Sequence, residues 1–423
     1  MSADSKIEWT DATWNPVRGC DAVSPGCLNC YAAGVAARFS GPGLAYEGTA
    51  TRKPGQQAKW TGKIILAEDK LTVPLHWREP RRIFVNSMSD LFHEDVPDEY
   101  IDRVFAVMAS APQHTFQILT KRADRMAKFL AESTREGGRW DHLLYDGDFP
   151  FPDTDAADVG YDRITDEPVL SNVWLGVSVE DQQRADERIP HLLATPATVR
   201  FLSCEPLLGP VDVSPWLRRV TSFHLAMNVE GALGNKSFDG FTDRESGRSL
   251  SRDEAKAELE MLLARGVKFI VMGDCDSFDA QSGCRGHKKP GIDWVIGGGE
   301  SGHGARPMHP DWARSLRDQC QAAGVPFFFK QWGEWATAPW KVDRIDGESD
   351  EDFKARAEGI GATHALSLGG HLHEPTHKAW SCYRVNGGEG QHAAIRRVGK
   401  KAAGRLLDGR AWDEFPRVAE KSA

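Results

Sequence analysis

The sequence predicts an α/β protein, with a parallel sheet partly or wholly closed into a (β/α) barrel and covered by helices. Short β-branched and aromatic runs alternate with segments of helical periodicity. The runs are nearly continuous in apolar residues, as strands buried on both faces are. Each run ends in a polar cluster, and parallel α/β sheets gather their chemistry at the C-terminal ends of their strands.

In chain order, "RRIFVNSMSDLF" (81–92) reads as a strand with a polar exit, and "PDEYIDRVFAVMASA" follows as a helix with Pro97 near its start. "HTFQILTKR" and "ADRMAKFLAEST" repeat the pair, then "NVWLGVSVED" with "QQRADERIPHLLAT". "TVRFLSCEPLL" is a further strand, "GIDWVIGGGES" precedes the helix "HPDWARSLRDQCQAAG", and "VPFFFKQWGEW" closes the series. The polar exits are Asn86, Ser87, Ser89 and Asp90; Thr120 and Lys121; Ser178, Glu180 and Asp181; Cys204 and Glu205; Glu300 and Ser301; Lys330 and Gln331. Acidic, Pro/Gly-rich residues 134–170 and a longer stretch at 212–290, with its own helix "SRDEAKAELEMLLARG" and strand "VKFIVMG", read as insertions. The expected organisation is a barrel-like domain over 1–335 and a polar C-terminal extension over 336–423.

A net charge of −9 gives no broad electrostatic footprint for nucleic acid, which argues against a pure DNA-binding module. Local basic clusters at Arg78–Arg82, Thr120–Arg122 and Arg396–Arg405 leave room for a basic cleft. No apolar run is long enough to cross a bilayer, and the first residues carry no secretory pattern. Eight cysteines at low density then point to a reducing cytoplasm, where thiols serve as ligands, nucleophiles or core residues.

Three of those cysteines, Cys20, Cys27 and Cys30, fall within eleven positions. Thiolates are soft ligands suited to zinc and iron–sulfur clusters. Gly19, Pro25 and Gly26 permit the tight turns a wrapping loop needs, and Cys27 and Cys30 sit at a helix start. Three thiolates on a four-iron cluster leave one iron open to a substrate or cofactor; on zinc they suit a non-enzymatic module that recruits a partner or nucleic acid.

A closely spaced cysteine triplet ahead of a strand–helix barrel resembles the radical S-adenosylmethionine (SAM) enzymes. "WNPVRGC…VSPGC.NCYA", "SMSDLFHEDVP", "LGVSVE", "SCEPLL", "WVIGGGESG…ARPMHPDW" and "FFFKQWGEW" together resemble a phage and bacterial family known as an uncharacterised phage protein, often encoded beside a three-Cys-motif partner protein. "ILTKR" resembles the spore photoproduct lyase branch. The resemblance implies a TIM-like barrel of the radical SAM type and a [4Fe–4S] cluster on Cys20, Cys27 and Cys30. It also implies SAM on the open iron, a flavodoxin- or ferredoxin-type electron donor, and a nucleobase or nucleic acid as substrate, with peptides and small molecules as alternatives. The residues from Asn86 to Asp90 would face the SAM amine, and Gly298, Gly299 and Glu300 a ribose or methionine moiety. Ser178, Glu180 and Glu205 would contact SAM ribose or substrate, and Tyr31 stands as the aromatic near adenine. The spacing departs from the commonest pattern in two ways: the first gap is six residues, and Asn29 stands where an aromatic is usual.

Other constellations are weaker. Cys275, Cys284 and His287 have the makings of a small zinc site, although a turn-rich loop with buried thiols explains them as well. His364, His371, His373 and His377 read as a polar loop. Cys204, at a strand end, is either a hydrogen donor or a buried thiol; Cys320 reads as core. Phe327–Phe329 read as a core strand, leaving Lys330, Gln331 and Trp332 for ligand contact.

Overall fold

The computed structural model describes residues 7–135, 169–217, 290–337, 364–373 and 392–416, together with residues 5 and 349 and shorter stretches within 137–164 and 222–284. Seven strands form one sheet: β1 (Ala12–Trp14), β2 (Arg82–Val85), β3 (Thr115–Thr120), β4 (Val173–Ser178), β5 (Val199–Cys204), β6 (Trp294–Gly298) and β7 (Phe327–Gln331). All six pairings are parallel and the strands stand in chain order. The sheet curls into a half-barrel, the partial form of the expected fold. The extra strand is β1, whose three residues are too few for a periodic signal.

The crossover helices are α2 (Asp98–Ala109), α3 (Ala123–Ser133), α4 (Gln182–Ala194) and α5 (Pro310–Ala323); a short α1 (Tyr31–Ala36) follows the cysteine loop. Helix starts follow local chemistry: Asp181 accepts from Arg184 N at 2.9 Å as the N-cap of α4, and α5 begins with Pro310 and ends at Gly324 with φ 71°.

Strand alternation decides what fills the half-barrel. The inward residues run from large apolar groups at the bottom to polar groups at the top: Trp174, Gly176, Ser178 on β4; Phe201 and Ser203 on β5, then Glu205; Phe328 and Lys330 on β7; Phe84 on β2, then Asn86. Trp294 stands edge-on to Trp9, Trp174 and Phe328 with ring centroids 6.0–6.3 Å apart, an arrangement aromatic quadrupoles favour. Gly176 belongs to this packing, because a Cβ there would lie 2.5 Å from the Phe201 ring.

The C-terminal tail covers the open edge. Phe329 N donates to Trp412 O at 2.8 Å and Glu414 N to Phe327 O at 3.3 Å, so residues 412–414 shield an edge strand that would otherwise be a pairing template. Phe415 packs against Trp294 and Phe328, with the Arg82 guanidinium carbon 4.4 Å from its ring centroid. Strands Trp335–Thr337, His364–Ser367, Leu372–His373 and His392–Arg397 make a small antiparallel sheet.

Residues Leu217–Gly291 form a second compact unit. It holds an antiparallel sheet in the order Thr242–Asp243, Ala232–Asp239, Ser222–Val229, Phe269–Gly273. The helix expected at 251–266 and the proposed zinc ligands Cys275 and His287 lie outside the described residues, as does the side chain of Cys284. Among the described residues no helix is long and apolar enough to cross a membrane.

Candidate functional site

The top of the half-barrel opens into a cavity of about 220 Å³ at the C-terminal ends of the strands. Cys20, Cys27 and Cys30 line one side, and Asn86, Ser178, Ser203, Glu205 and Lys330 come up from the sheet. Trp9, Phe84 and Leu119 form its apolar floor. The wall polarity thus follows from the same period-two alternation that fills the core.

The cysteine loop is tied to the strand ends by its own polar side chains. Asn15 Oδ1 accepts from Ser87 Oγ at 3.2 Å and Met88 N at 3.0 Å, and Ser89 Oγ donates to Val17 O at 2.7 Å. Gly19 lies at φ 95°, with room for no Cβ because Lys63 O would be 2.0 Å away. Asn29 Nδ2 donates to Glu300 Oε2 and to Gly304 O, both at 2.9 Å, fastening the loop to the exit of β6. Tyr31 donates from its hydroxyl to Ser87 O at 2.9 Å.

The acidic groups divide into anchors and cavity groups. Glu300 takes Asn29 Nδ2, Arg306 N at 2.7 Å, Arg306 Nε at 2.9 Å and Arg306 Nη2 at 2.6 Å, so its acceptor capacity is spent on the loop. Asp90 is saturated in the same way by Thr120 Oγ1, Lys121 N, Phe92 N and Arg122 Nη1. Glu180 is fully buried behind the loop, where its carboxylate accepts from Ser24 Oγ at 2.6 Å and Arg188 Nη1 at 2.8 Å, with Lys121 Nζ at 3.5 Å. Burial raises the Glu180 pKa, but Lys121, Arg188 and Ser24 outweigh it and hold the carboxyl below its ordinary value. Glu205 differs. Burial lifts it above the usual carboxylate range against the pull of Lys330, whose Nζ donates to Oε2 at 3.3 Å, while Oε1 is buried without a partner.

Two observations test whether the residues fit an iron–sulfur centre. The donor set is three unpaired thiols converging on one cavity. Burial, then the Asp90 carboxylate, pushes the Cys20 thiol up to about 12 against the pull of Arg122, so a metal must displace its proton to make the thiolate. The cavity beside the thiols leaves room for a ligand on a fourth position. The donor set therefore fits. Among the described residues, a second group of His and acidic ligand atoms lies within 4.8 Å of one another: Asp21, His93 and Glu94. The Asp21–His93–Glu94 group is instead a counter-ion shell: Asp21 and Glu94 both pair with Arg122, and His93 Nδ1 accepts from Asp95 N.

The protein-family comparison then decides the family. A profile described as "protein of unknown function (DUF5131)" matches residues 4–416. The chain belongs to this family. That description carries no activity and no phage origin. No curated protein matches the sequence. Among solved structures the DUF5131 chain is similar to spore photoproduct lyase complexed with dinucleoside spore photoproduct, at 10% identity and a TM-score of 0.28 over 76% of this chain and 64% of that one. It thus spans just under two thirds of that lyase's length. It is also similar to a cysteine-to-serine mutant of spore photoproduct lyase, at 13% identity and a TM-score of 0.27 over 63% of this chain and 75% of that one.

Within the DUF5131 chain, most expected site residues meet on the cavity: Cys20, Cys27, Cys30, Tyr31, Asn86, Ser87, Ser89, Asp90, Ser178, Glu205, Gly299, Glu300 and Lys330. Three do not. Glu180 stands behind the loop as an anchor. Gly298 leaves the space that Glu205 Oε1 occupies, since a Cβ there would be 2.5 Å from that oxygen. Cys204 is buried off the cavity, because strand alternation turns Ser203 inward and Cys204 outward, and burial raises its thiol well above the ordinary value. The expectation of a hydrogen-donor role for Cys204 fails on that geometry. Asn86 has a further feature. Asn86 Oδ1 accepts from Val17 N at 3.3 Å, which orients the amide and leaves Nδ2 buried and unpartnered. An amide N–H there is a donor that can pair with an acceptor atom.

Sequence reasoning gave no individual role to Ser24, Ser203, Arg122 and Arg306. The last two sit in basic or motif stretches whose pairing partners lie far along the chain, at Asp21 and Glu300. Gly26 is a sharp test of the anchor. A Cβ there would lie 2.4 Å from Glu180 Oε1. Gly26→Ala is expected to cost about 1–3 kcal/mol of loop stability and to lower iron content per chain at unchanged far-UV circular dichroism. Full iron content in that variant would remove the Glu180 contact from the account.

Proposed function

We propose that the chain is a radical SAM enzyme: Cys20, Cys27 and Cys30 hold a [4Fe–4S] cluster, SAM occupies the cavity at its open iron, and a nucleobase in nucleic acid is the target. The observation that carries this reading is the set of three unpaired thiols facing a cavity at the strand ends. When bound, the cluster supplies reductive cleavage of SAM to a 5′-deoxyadenosyl radical, which acts on a C–H or C=C bond.

The chain's own residues bind, orient and keep out water. Asn86 Nδ2 is the buried donor for an acceptor atom of the cofactor. Tyr31, pinned through its hydroxyl to Ser87 O, gives the cofactor an aromatic wall. The floor of Trp9, Phe84 and Leu119 excludes water from the reacting end. Glu205 and Lys330 offer a substrate one acceptor and one donor side by side. The nucleobase assignment rests on the resemblance of Ile118–Arg122 to the spore photoproduct lyase branch.

Incubation of the anaerobic protein with SAM and dithionite is expected to yield 5′-deoxyadenosine and methionine. An intact cluster that gives neither product, with or without DNA or RNA oligonucleotides, contradicts the reading. Oligonucleotides are expected to raise the rate of product formation by up to about 100-fold, the order of effect that a small misplacement of reacting groups carries. Product formation that ignores every oligonucleotide removes the nucleobase assignment and leaves SAM cleavage standing.

A further inference from the structure

We infer that the outer face of α1 and its flanking turns is the docking surface for a small acidic one-electron carrier protein. The inference rests on the cluster reading above, which requires an electron from outside the chain.

Among the described residues, six of the ten exposed large hydrophobic side chains fall between Val23 and Leu44. Val35 and Phe39 lie four apart on one side of the helical run from Tyr31 to Phe39, and Leu28 stands out from the turn before it. Leu28, Val35 and Phe39 are 61%, 36% and 48% exposed. The opposite side of α1 is already used, with Ala32 and Ala36 packed on Ala50 and Met88. A cluster of large apolar groups on an outward helix face marks a contact surface.

Its rim is cationic. Arg38, Arg52, Lys53, Lys59 and Lys63 are exposed, and Arg52 Nη2 donates to Gly34 O, on α1 itself, at 3.3 Å. Residues 18–63 carry six Lys and Arg against two acids, in a chain whose net charge is −9. An apolar centre with a basic rim is the complement of a protein that is acidic around an apolar contact. Nucleic acid fits less well: the apolar centre is mostly aliphatic, and Leu28, Val35 and Leu44 offer no stacking plane.

Position specifies the partner further. Leu28 lies between Cys27 and Cys30, so the patch is the outward side of the loop whose inward side carries the thiols. The cavity face is reserved for cofactor and substrate. The transfer moves one electron and no atoms: the carrier is oxidised by one electron, and the cluster is reduced by one.

The test uses the anaerobic, cluster-loaded full chain with reduced flavodoxin as the probe, following loss of cluster absorbance by stopped flow. Val35→Glu with Phe39→Glu is expected to slow transfer from flavodoxin about tenfold or more, with iron content and reduction by dithionite unchanged. Arg38→Glu with Lys59→Glu leaves the apolar face intact. It is expected to slow transfer and to flatten the salt dependence seen in the unsubstituted chain. This second variant decides the matter alone if the first loses iron. Transfer at the unsubstituted rate in both variants overturns the inference. Loss of self-association, or of oligonucleotide binding, with transfer unchanged reassigns the face to a second copy or to nucleic acid. A chain that never binds iron overturns the cluster reading and this inference with it, so iron content tells the two failures apart.

Discussion

Cys27→Ala is expected to take iron from about four per chain to nearly none and to abolish SAM cleavage. A cluster with three protein ligands has no reserve, since loss of one thiolate exposes a second iron to solvent. Nothing nearby substitutes well. Ser24 Oγ lies 3.8 Å from Cys27 Sγ, but it is a neutral hydroxyl already donating to Glu180. The control is Cys320→Ala. Cys320 is buried in α5, and its thiol is raised by burial and then by Glu414, which marks it as core. That variant is expected to keep full iron and to lose only the stability of a small core truncation, about 1 kcal/mol. Iron content and visible absorbance of the two proteins check both expectations. Full iron in Cys27→Ala would place the metal elsewhere.

Glu180→Ala is expected to destabilise the protein by about 3–5 kcal/mol, the cost of removing one partner from a buried charge pair. Arg188 is buried beside it and would be left with only the Ser178 carbonyl; Lys121 would lose its anion as well. The effect reaches the cysteine loop, because Ser24 loses the acceptor that holds it. Glu180→Gln keeps the shape and an acceptor for Ser24, so it is expected to retain more iron than Glu180→Ala at similar loss of stability. Urea unfolding and iron content measured together separate the two roles. The pH dependence has a definite sign. The Glu180 carboxyl is depressed below its ordinary value of 4.5 in the folded chain. Its contribution is therefore complete above about pH 5.5 and lost as pH falls through 4.5 toward the lower folded value. Glu180→Gln should flatten that acid limb. An unchanged acid limb would mean that Glu180 is not held ionised by its partners.

Much of this architecture is legible in the chain because buried parallel strands leave continuous apolar runs. Val173–Ser178 and Val199–Cys204 are buried along their whole length, and both were evident from composition and flanking turns. Ala12–Trp14 is too short to signal itself and is recognisable only through its pairing with β2. The thiol triplet carries its own chemistry, so Cys20, Cys27 and Cys30 needed no fold to be found. The carboxylates did need one. Glu180, Glu205 and Glu300 look alike at strand ends, yet one is a buried anchor, one faces the cavity with an unpaired oxygen and one is spent on Arg306. Which role each takes depends on partners up to 271 positions away, as in the bond from Asn29 to Glu300. Asn29 itself shows the gain: it departs from the usual aromatic, and the structure gives it work as the clasp between the loop and β6. The parity of β5 likewise could not be fixed from "FLSCEP" alone, and parity is what sends Ser203 to the cavity and Cys204 to the core.

The most direct measurement is metal and sulfide analysis of the anaerobically purified, unsubstituted chain, joined to electron paramagnetic resonance of its reduced form before and after SAM. The account predicts a brown protein with about four iron and four sulfide per chain, whose reduced signal shifts when SAM occupies the open iron. A colourless protein carrying stoichiometric zinc, or a four-iron signal that SAM leaves unaltered, would contradict it.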